Sequence, residues 1–140
     1  MTAPQWPEKT AELFDAMVAA YETWAETLSA RLAQVTLERT SVRAGDCVLD
    51  IGAGTGALAH QAAALGARVT AIDLSSAMVA RLTQRLAPYT ECKALIMDGQ
   101  VLRFEDSTFG VACDPSCNDR QQSTGFGARS VRRGVFRPAR

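Results

Sequence analysis

The chain has 140 residues, about one domain by length, and its 47% apolar and 21% charged content is enough to bury a core. No apolar run approaches the roughly 18–20 residues of a membrane-spanning helix, and Met1-Thr2-Ala3-Pro4-Gln5-Trp6 has neither the basic start nor the apolar block of a secretory signal. The 15 basic and 15 acidic side chains cancel, which excludes a strongly basic nucleic-acid binder taken whole.

Pro7 and Glu8 open the first helix, since proline is tolerated in the first turn and an early acid suits the helix dipole. Leu13, Phe14, Met17, Val18, Tyr21, Leu28, Leu32 and Val35 recur near one face at a period of 3.6, so one long helix or two shorter ones cover 8–39. That face, with Trp24 beside it, is expected to pack on the following domain, the sharper alternative being a lid over a ligand. Ala44-Gly45-Asp46 turns into a short apolar strand, Cys47 to Ile51, and Gly52-Ala53-Gly54-Thr55-Gly56 follows at once. Ala57 to Leu65 reads as a helix stopped at Gly66, and Arg68 to Asp73 as a second strand. Ser75 caps a helix that runs to Ala87 ahead of Pro88. Cys92 to Met97 is a third strand and Phe109 to Cys113 a short fourth. Strands alternating with helices predict an α/β fold with a parallel sheet, right-handed crossovers and a ligand crevice at the carboxyl ends of the strands.

From Asp114 the pattern changes. The segment is rich in Gly, Ser, Arg and Gln, holds no period of 2 or 3.6, and is expected to be a disordered basic tail over 114–140. Charge divides at the same place: residues 1–113 carry 9 basic and 13 acidic side chains, residues 114–140 carry 6 and 2. The chain therefore reads as a helical segment (1–44), a ligand-binding half-domain (45–113) and the tail. Strand four is expected to leave its outer edge exposed, which invites self-association. The four cysteines form no Cys-x-x-Cys pair and His60 is the sole histidine, so no metal site is expected. Reduced thiols point to the cytoplasm. His60, Ser75 and Ser76 read as helix positions and caps rather than as a base or nucleophiles.

The chemistry lies in Val48-Leu49-Asp50-Ile51-Gly52-Ala53-Gly54-Thr55-Gly56. Gly52 and Gly54 let the backbone turn sharply and approach a ligand, and Gly56 lets the loop enter a closely packed helix. The helix start offers unpaired N–H donors. Asp50 places a carboxylate at the strand end. Asp73, at the end of the next strand, suits the two hydroxyls of a ribose, and Asp98, after the third, suits an adenine amino group. The motif also fits a relaxed dinucleotide fingerprint, which leaves an NAD-binding oxidoreductase domain as one alternative. An acid two residues before the first glycine opposes a pyrophosphate and favours a ligand carrying an amino group.

These residues resemble the class I S-adenosylmethionine (SAM)-dependent methyltransferases, of the type 11 or 25 small-molecule kind. The Val48–Gly56 stretch matches the family's first motif, Val69 to Met78 its second, Asp98-Gly99 the adenine position, and Leu102 to Phe109 the stretch before strand four. The resemblance implies a Rossmann-like sheet of about four parallel strands behind one or two helices. It implies SAM as cofactor, with Asp50, Gly52, Ala53, Gly54 and Gly56 around the methionine part, Asp73 at the ribose, Met78, Asp98 and Gly99 at the adenine, and Leu74 also among the cofactor-binding residues. Tyr21 is a candidate for the methionine carboxylate. The implied partner is a small-molecule methyl acceptor, with no specific nucleic acid and no membrane. Methyl transfer is an in-line displacement in which alignment supplies about 7–11 kcal/mol, so no catalytic side chain has to be visible. Gly110 stands where the family has an acid. The match stops at Cys113, as in a truncated or frameshifted chain, which raises the alternative of a non-catalytic SAM-binding module or a fragment that needs a partner chain.

Overall fold

In the computed structural model the described residues are 6–114 and 131–136. Two helices come first, α1 (Trp6–Trp24) and α2 (Glu26–Thr40), so the two-helix alternative holds. They lead into β1 (Cys47–Ile51), α3 (Ala57–Ala64), β2 (Arg68–Asp73), α4 (Ser76–Leu86), β3 (Lys93–Ile96), β4 (Phe109–Cys113) and β5 (Val131–Phe136). The strands form one parallel sheet in the order β3-β2-β1-β4-β5. The chain leaves β1 toward β3, then returns to the other side of β1 with β4. That reversal makes the β1/β4 gap the switch point of the sheet, where open α/β sheets bind ligands.

Local chemistry accounts for the boundaries. Ser75 caps α4, its Oγ accepting from the Met78 N–H at 3.1 Å. α4 then buries Met78, Val79, Leu82 and Leu86 at helical spacing. α3 is nearly all alanine and closes on the sheet without bulk, with Ala59 and Ala62 fully buried. One core lies between the helices and the sheet, from Val48, Val69, Ala71 and Val111 to Leu58, Leu82 and Leu86. On the opposite face Leu49, Ile51, Ile72, Phe109 and Ala112 pack against the loop residues Leu102 and Phe104. Phe104 meets Phe109 edge to face at 4.9 Å.

Two expectations need correction. The apolar stripe of the first two helices faces the domain only in part: Val18 is buried and Phe14, Tyr21 and Leu32 line cavities against it, whereas Leu13, Met17, Leu28 and Val35 are exposed without lining either, and Trp24 is 84% exposed. α2 instead buries Ala33, Thr36 and Leu37. Small residues on both sides let α2 approach the alanines of α3 closely, and Leu28 and Val35 are left exposed. Secondly, β4 is not an edge. β5 pairs with it in parallel, Phe109 opposite Val131 and Cys113 opposite Phe136, with an irregularity between Val111 and Ala112. An element therefore lies within the segment read as tail, and the exposed edge predicted for self-association is occupied. Most of that segment, 115–130 and 137–140, lies outside the described residues. Among the described residues no helix is long and apolar enough to cross a membrane, and no cluster of His, Cys, Asp or Glu can hold a metal ion.

Candidate functional site

Four strand ends converge on one crevice. β1 runs into Gly52, β2 ends in Asp73, β3 leads to Met97 and Asp98, and β4 leads to Asp114. Thr10, Phe14 and Tyr21 of α1 close the side. Together they line a cleft of about 400 Å³, a volume suited to a small molecule. A smaller cavity of about 220 Å³ lies beside the glycine loop, between Asp50, Ala53 and Leu58 and the α2 residues Ser29, Leu32 and Ala33. Tyr21 and Gly52 line both spaces.

The expected residues divide between these spaces. Gly52, Gly54, Asp73, Leu74 and Met78 line the larger cleft together with Asp98 and Gly99. Asp50 and Ala53 line the smaller one. Gly56 lines neither. It takes φ +96° at the start of α3, and a Cβ there would stand 2.4 Å from Leu82 Cδ1, so its glycine serves the packing of α3 on α4. Gly56→Ala is therefore expected to destabilise the fold by about 1–3 kcal/mol, read as a lowered Tm in thermal unfolding. His60 stacks edge-on against Tyr89 at 5.8 Å, outside the cleft lining.

Asp73 organises the loop. Its Oδ2 accepts from the Gly54 N–H at 2.8 Å and its Oδ1 from the Ser75 N–H at 2.9 Å. Each oxygen keeps further acceptor capacity, and Asp73 lines the cleft. Gly54 sits at φ +57°, where an L side chain would be strained, and a Cβ on it would come within 3.5–3.7 Å of the Tyr21 ring and hydroxyl. The Tyr21 hydroxyl shares a 3.2 Å hydrogen bond with Ser29 Oγ. Asp98 Oδ1 accepts from the Gln100 N–H at 2.8 Å, which sets the turn after β3.

Asp50 is the electrostatic anomaly. It is fully buried, and neither carboxyl oxygen has a hydrogen bond of full geometry; the donor acting on it is the Ala59 N–H. Burial pushes it up to about 8; the pull of the Ala59 N–H opposes this only in part, and the nearby Asp114 and Asp73 charges add to it. Such a carboxyl is costly unless a ligand group meets it. Cys113 is also pushed up, to about 12, by burial first and then by Asp50 and Asp114, so its thiol is inert.

Sequence reading missed Thr10, Phe14, Ile51, Met97, Gln100 and Asp114 in the cleft. Asp114 carried a usable signal, because it follows β4 directly, as Gly52, Asp98 and the terminal Asp73 mark the ends of the other strands. Thr10 and Phe14 had none, since only the folding back of α1 brings them there.

Residues 48–124, more than half of the chain, match the family profile described as "Methyltransferase domain". The chain belongs to the class I SAM-dependent methyltransferases. The match passes Cys113, where the recognisable motifs were expected to end, and it decides between the two readings of the glycine motif. The chain is 31% identical over 117 residues to the ubiquinone/menaquinone biosynthesis C-methyltransferase of Cellvibrio japonicus, covering 73% of this chain and 45% of that one. It is 30% identical over 91 residues to the tRNA (guanine(10)-N2)-dimethyltransferase of Methanothermobacter thermautotrophicus, covering 64% and 27%. The chain thus spans less than half the length of these relatives. Phosphoethanolamine N-methyltransferase 2 of Haemonchus contortus, solved with SAM, shares the fold at a TM-score of 0.70 and 24% identity over 88% of this chain and 32% of that one.

Proposed function

We propose that the methyltransferase binds SAM across the two joined spaces and transfers its methyl group to a small apolar acceptor. The observation that carries the reading is the buried Asp50 carboxyl, without a hydrogen bond of full geometry, in the wall of a cavity that shares Gly52 and Tyr21 with the larger cleft. A carboxyl so placed fits the amino group at the methionine end. The Asp73 oxygens fit the ribose hydroxyls, Asp98 the adenine amino group, and Leu74 and Met78 the faces of the base. When bound, SAM supplies an electrophilic methyl group on sulfur. The chain's own residues bind, orient and exclude water, and alignment of this kind is worth about 7–11 kcal/mol. Free Cys47, Cys92 and Cys113 fit a reducing cytoplasm.

The acceptor class rests on two supports. One relative acts in quinone biosynthesis. Part of the cleft wall is apolar, with Phe14, Ile51, Leu74, Met78 and Met97 lining it. Against RNA stands the acidic balance of residues 1–113, since RNA binding draws on basic surface. A second reading, a SAM-binding module whose acceptor pocket is completed by further chain, is favoured by the 45% coverage of the quinone relative. Radiolabelled SAM offered to the chain with a quinol lacking a ring methyl, and separately with bulk tRNA, tests both. Label in the extractable quinone supports the enzyme reading and label in RNA overturns the acceptor. Bound SAM with no label in either favours the module.

A further inference from the structure

The helix that walls the cleft is held by polar contacts and by little else. Val18 is the one buried side chain described in α1, whereas α2 buries three. Leu13, Phe14 and Met17 are exposed. An element with so little buried apolar surface belongs to the low-stability end of a fold and opens first. Yet α1 supplies Thr10, Phe14 and Tyr21 to the cleft.

Asp15 is what fastens it. One carboxylate oxygen accepts from the Ser75 hydroxyl and from the Ala77 N–H at 3.0 Å; the other accepts from the Ser76 hydroxyl at 3.3 Å. These donors open α4, whose N-terminus offers free N–H groups and a field that favours an anion. The Ser75 hydroxyl first, then the Ala77 N–H, hold the Asp15 carboxyl below the usual range, so it stays charged. Ser75 also donates its N–H to Asp73. One residue therefore separates Asp15, on the wall, from the proposed ribose acid. The second strong anchor lies beyond α1, at the start of α2, where Glu26 meets Arg85 at 2.7 Å and the Thr55 hydroxyl at 3.3 Å. The Glu22–Arg81 pair, at 3.4 Å and half exposed, adds little. Glu26 holds the start of α2 independently of Asp15, and the remaining described ties of α1 beyond its junction with α2 are the buried Val18 and the Glu22–Arg81 pair.

We propose that α1 is a lid on the cofactor cleft and that Asp15 is its latch, a positioning residue that holds the lid to the start of α4 and steadies Asp73 through Ser75. The inference rests on the cleft being the SAM site and adds a device to it. Amide hydrogen exchange and S-adenosylhomocysteine dissociation, measured on the full chain, test it with Asp15→Ala and Asp15→Asn. Asp15→Ala removes three hydrogen bonds to a partly exposed carboxylate and is expected to speed both α1 exchange and ligand release at least about tenfold, while β1 and β2 stay protected. Asp15→Asn keeps an oxygen acceptor for the Ser75 hydroxyl and is expected to recover most of both. Wild-type exchange in α1 of Asp15→Ala overturns the latch, as does loss of β1 and β2 protection in both variants, which would assign Asp15 to global stability. If the wild-type chain binds no S-adenosylhomocysteine, the cofactor reading fails, and the exchange arm still decides whether α1 opens at Asp15.

Discussion

Asp50→Asn is expected to stabilise the free protein at pH 8 and, in the same variant, to weaken SAM binding. In the unfolded chain this carboxyl titrates near its ordinary 3.8, and in the fold burial raises it to about 8. Between these values the folded state holds a proton that the unfolded state has released. Stability therefore falls as pH rises through that window, by up to about 1.4 kcal/mol per pH unit. Asparagine is the neutral isostere and removes the slope. The two proteins are expected to match near pH 4 and to diverge steadily toward pH 8, where the variant leads by several kcal/mol in chemical denaturation. Binding moves the other way, because the amino group of SAM loses its counter-charge. A charge-assisted bond is worth about 1.5–3 kcal/mol, so affinity should fall about 10- to 100-fold. Opposite signs in stability and affinity separate a ligand-directed carboxyl from a merely misplaced one. A variant that is destabilised at pH 8 would contradict the account.

Asp73→Ala has the larger effect on binding. It removes the acceptor for the proposed ribose hydroxyls and also releases the Gly54 and Ser75 N–H groups from a carboxylate that holds them at 2.8 and 2.9 Å. Two charge-assisted bonds lost at about 1.5–3 kcal/mol each put the fall in SAM affinity at about 100-fold or more. The glycine loop should loosen as well, seen as faster exchange of the Gly54 and Ser75 amides. SAM affinity within about twofold of the wild type would show that Asp73 serves the loop alone, since that change is only about 0.4 kcal/mol.

Much of this was legible because parallel strands and their following loops write short local signals. The apolar run Cys47–Ile51, the glycines after it and the terminal Asp73 lie within single βα units, and the structure sets them where those signals point. The stripe of α1 and α2 misled because a 3.6 period marks an apolar face without saying what covers it. Contact with the alanines of α3 rewards small residues, so Ala33 goes inward and Leu28 and Val35 stay out. β5 was invisible because Val131-Arg132-Arg133-Gly134-Val135-Phe136 alternates nothing. Its strand is defined by backbone pairing with β4. Asp15 was invisible for a different reason: its partners lie 60 to 62 residues along the chain, and no local motif joins them.

The most direct test is a calorimetric titration of the full chain with SAM at pH 7, run in two buffers of different ionisation enthalpy. Asp50 is mostly protonated in the free protein at that pH and must ionise to meet a cationic amino group. The account predicts one saturable site with a net release of protons, and its loss or severe weakening in Asp73→Ala. Absence of saturable binding, or binding whose heat is the same in both buffers, would contradict it.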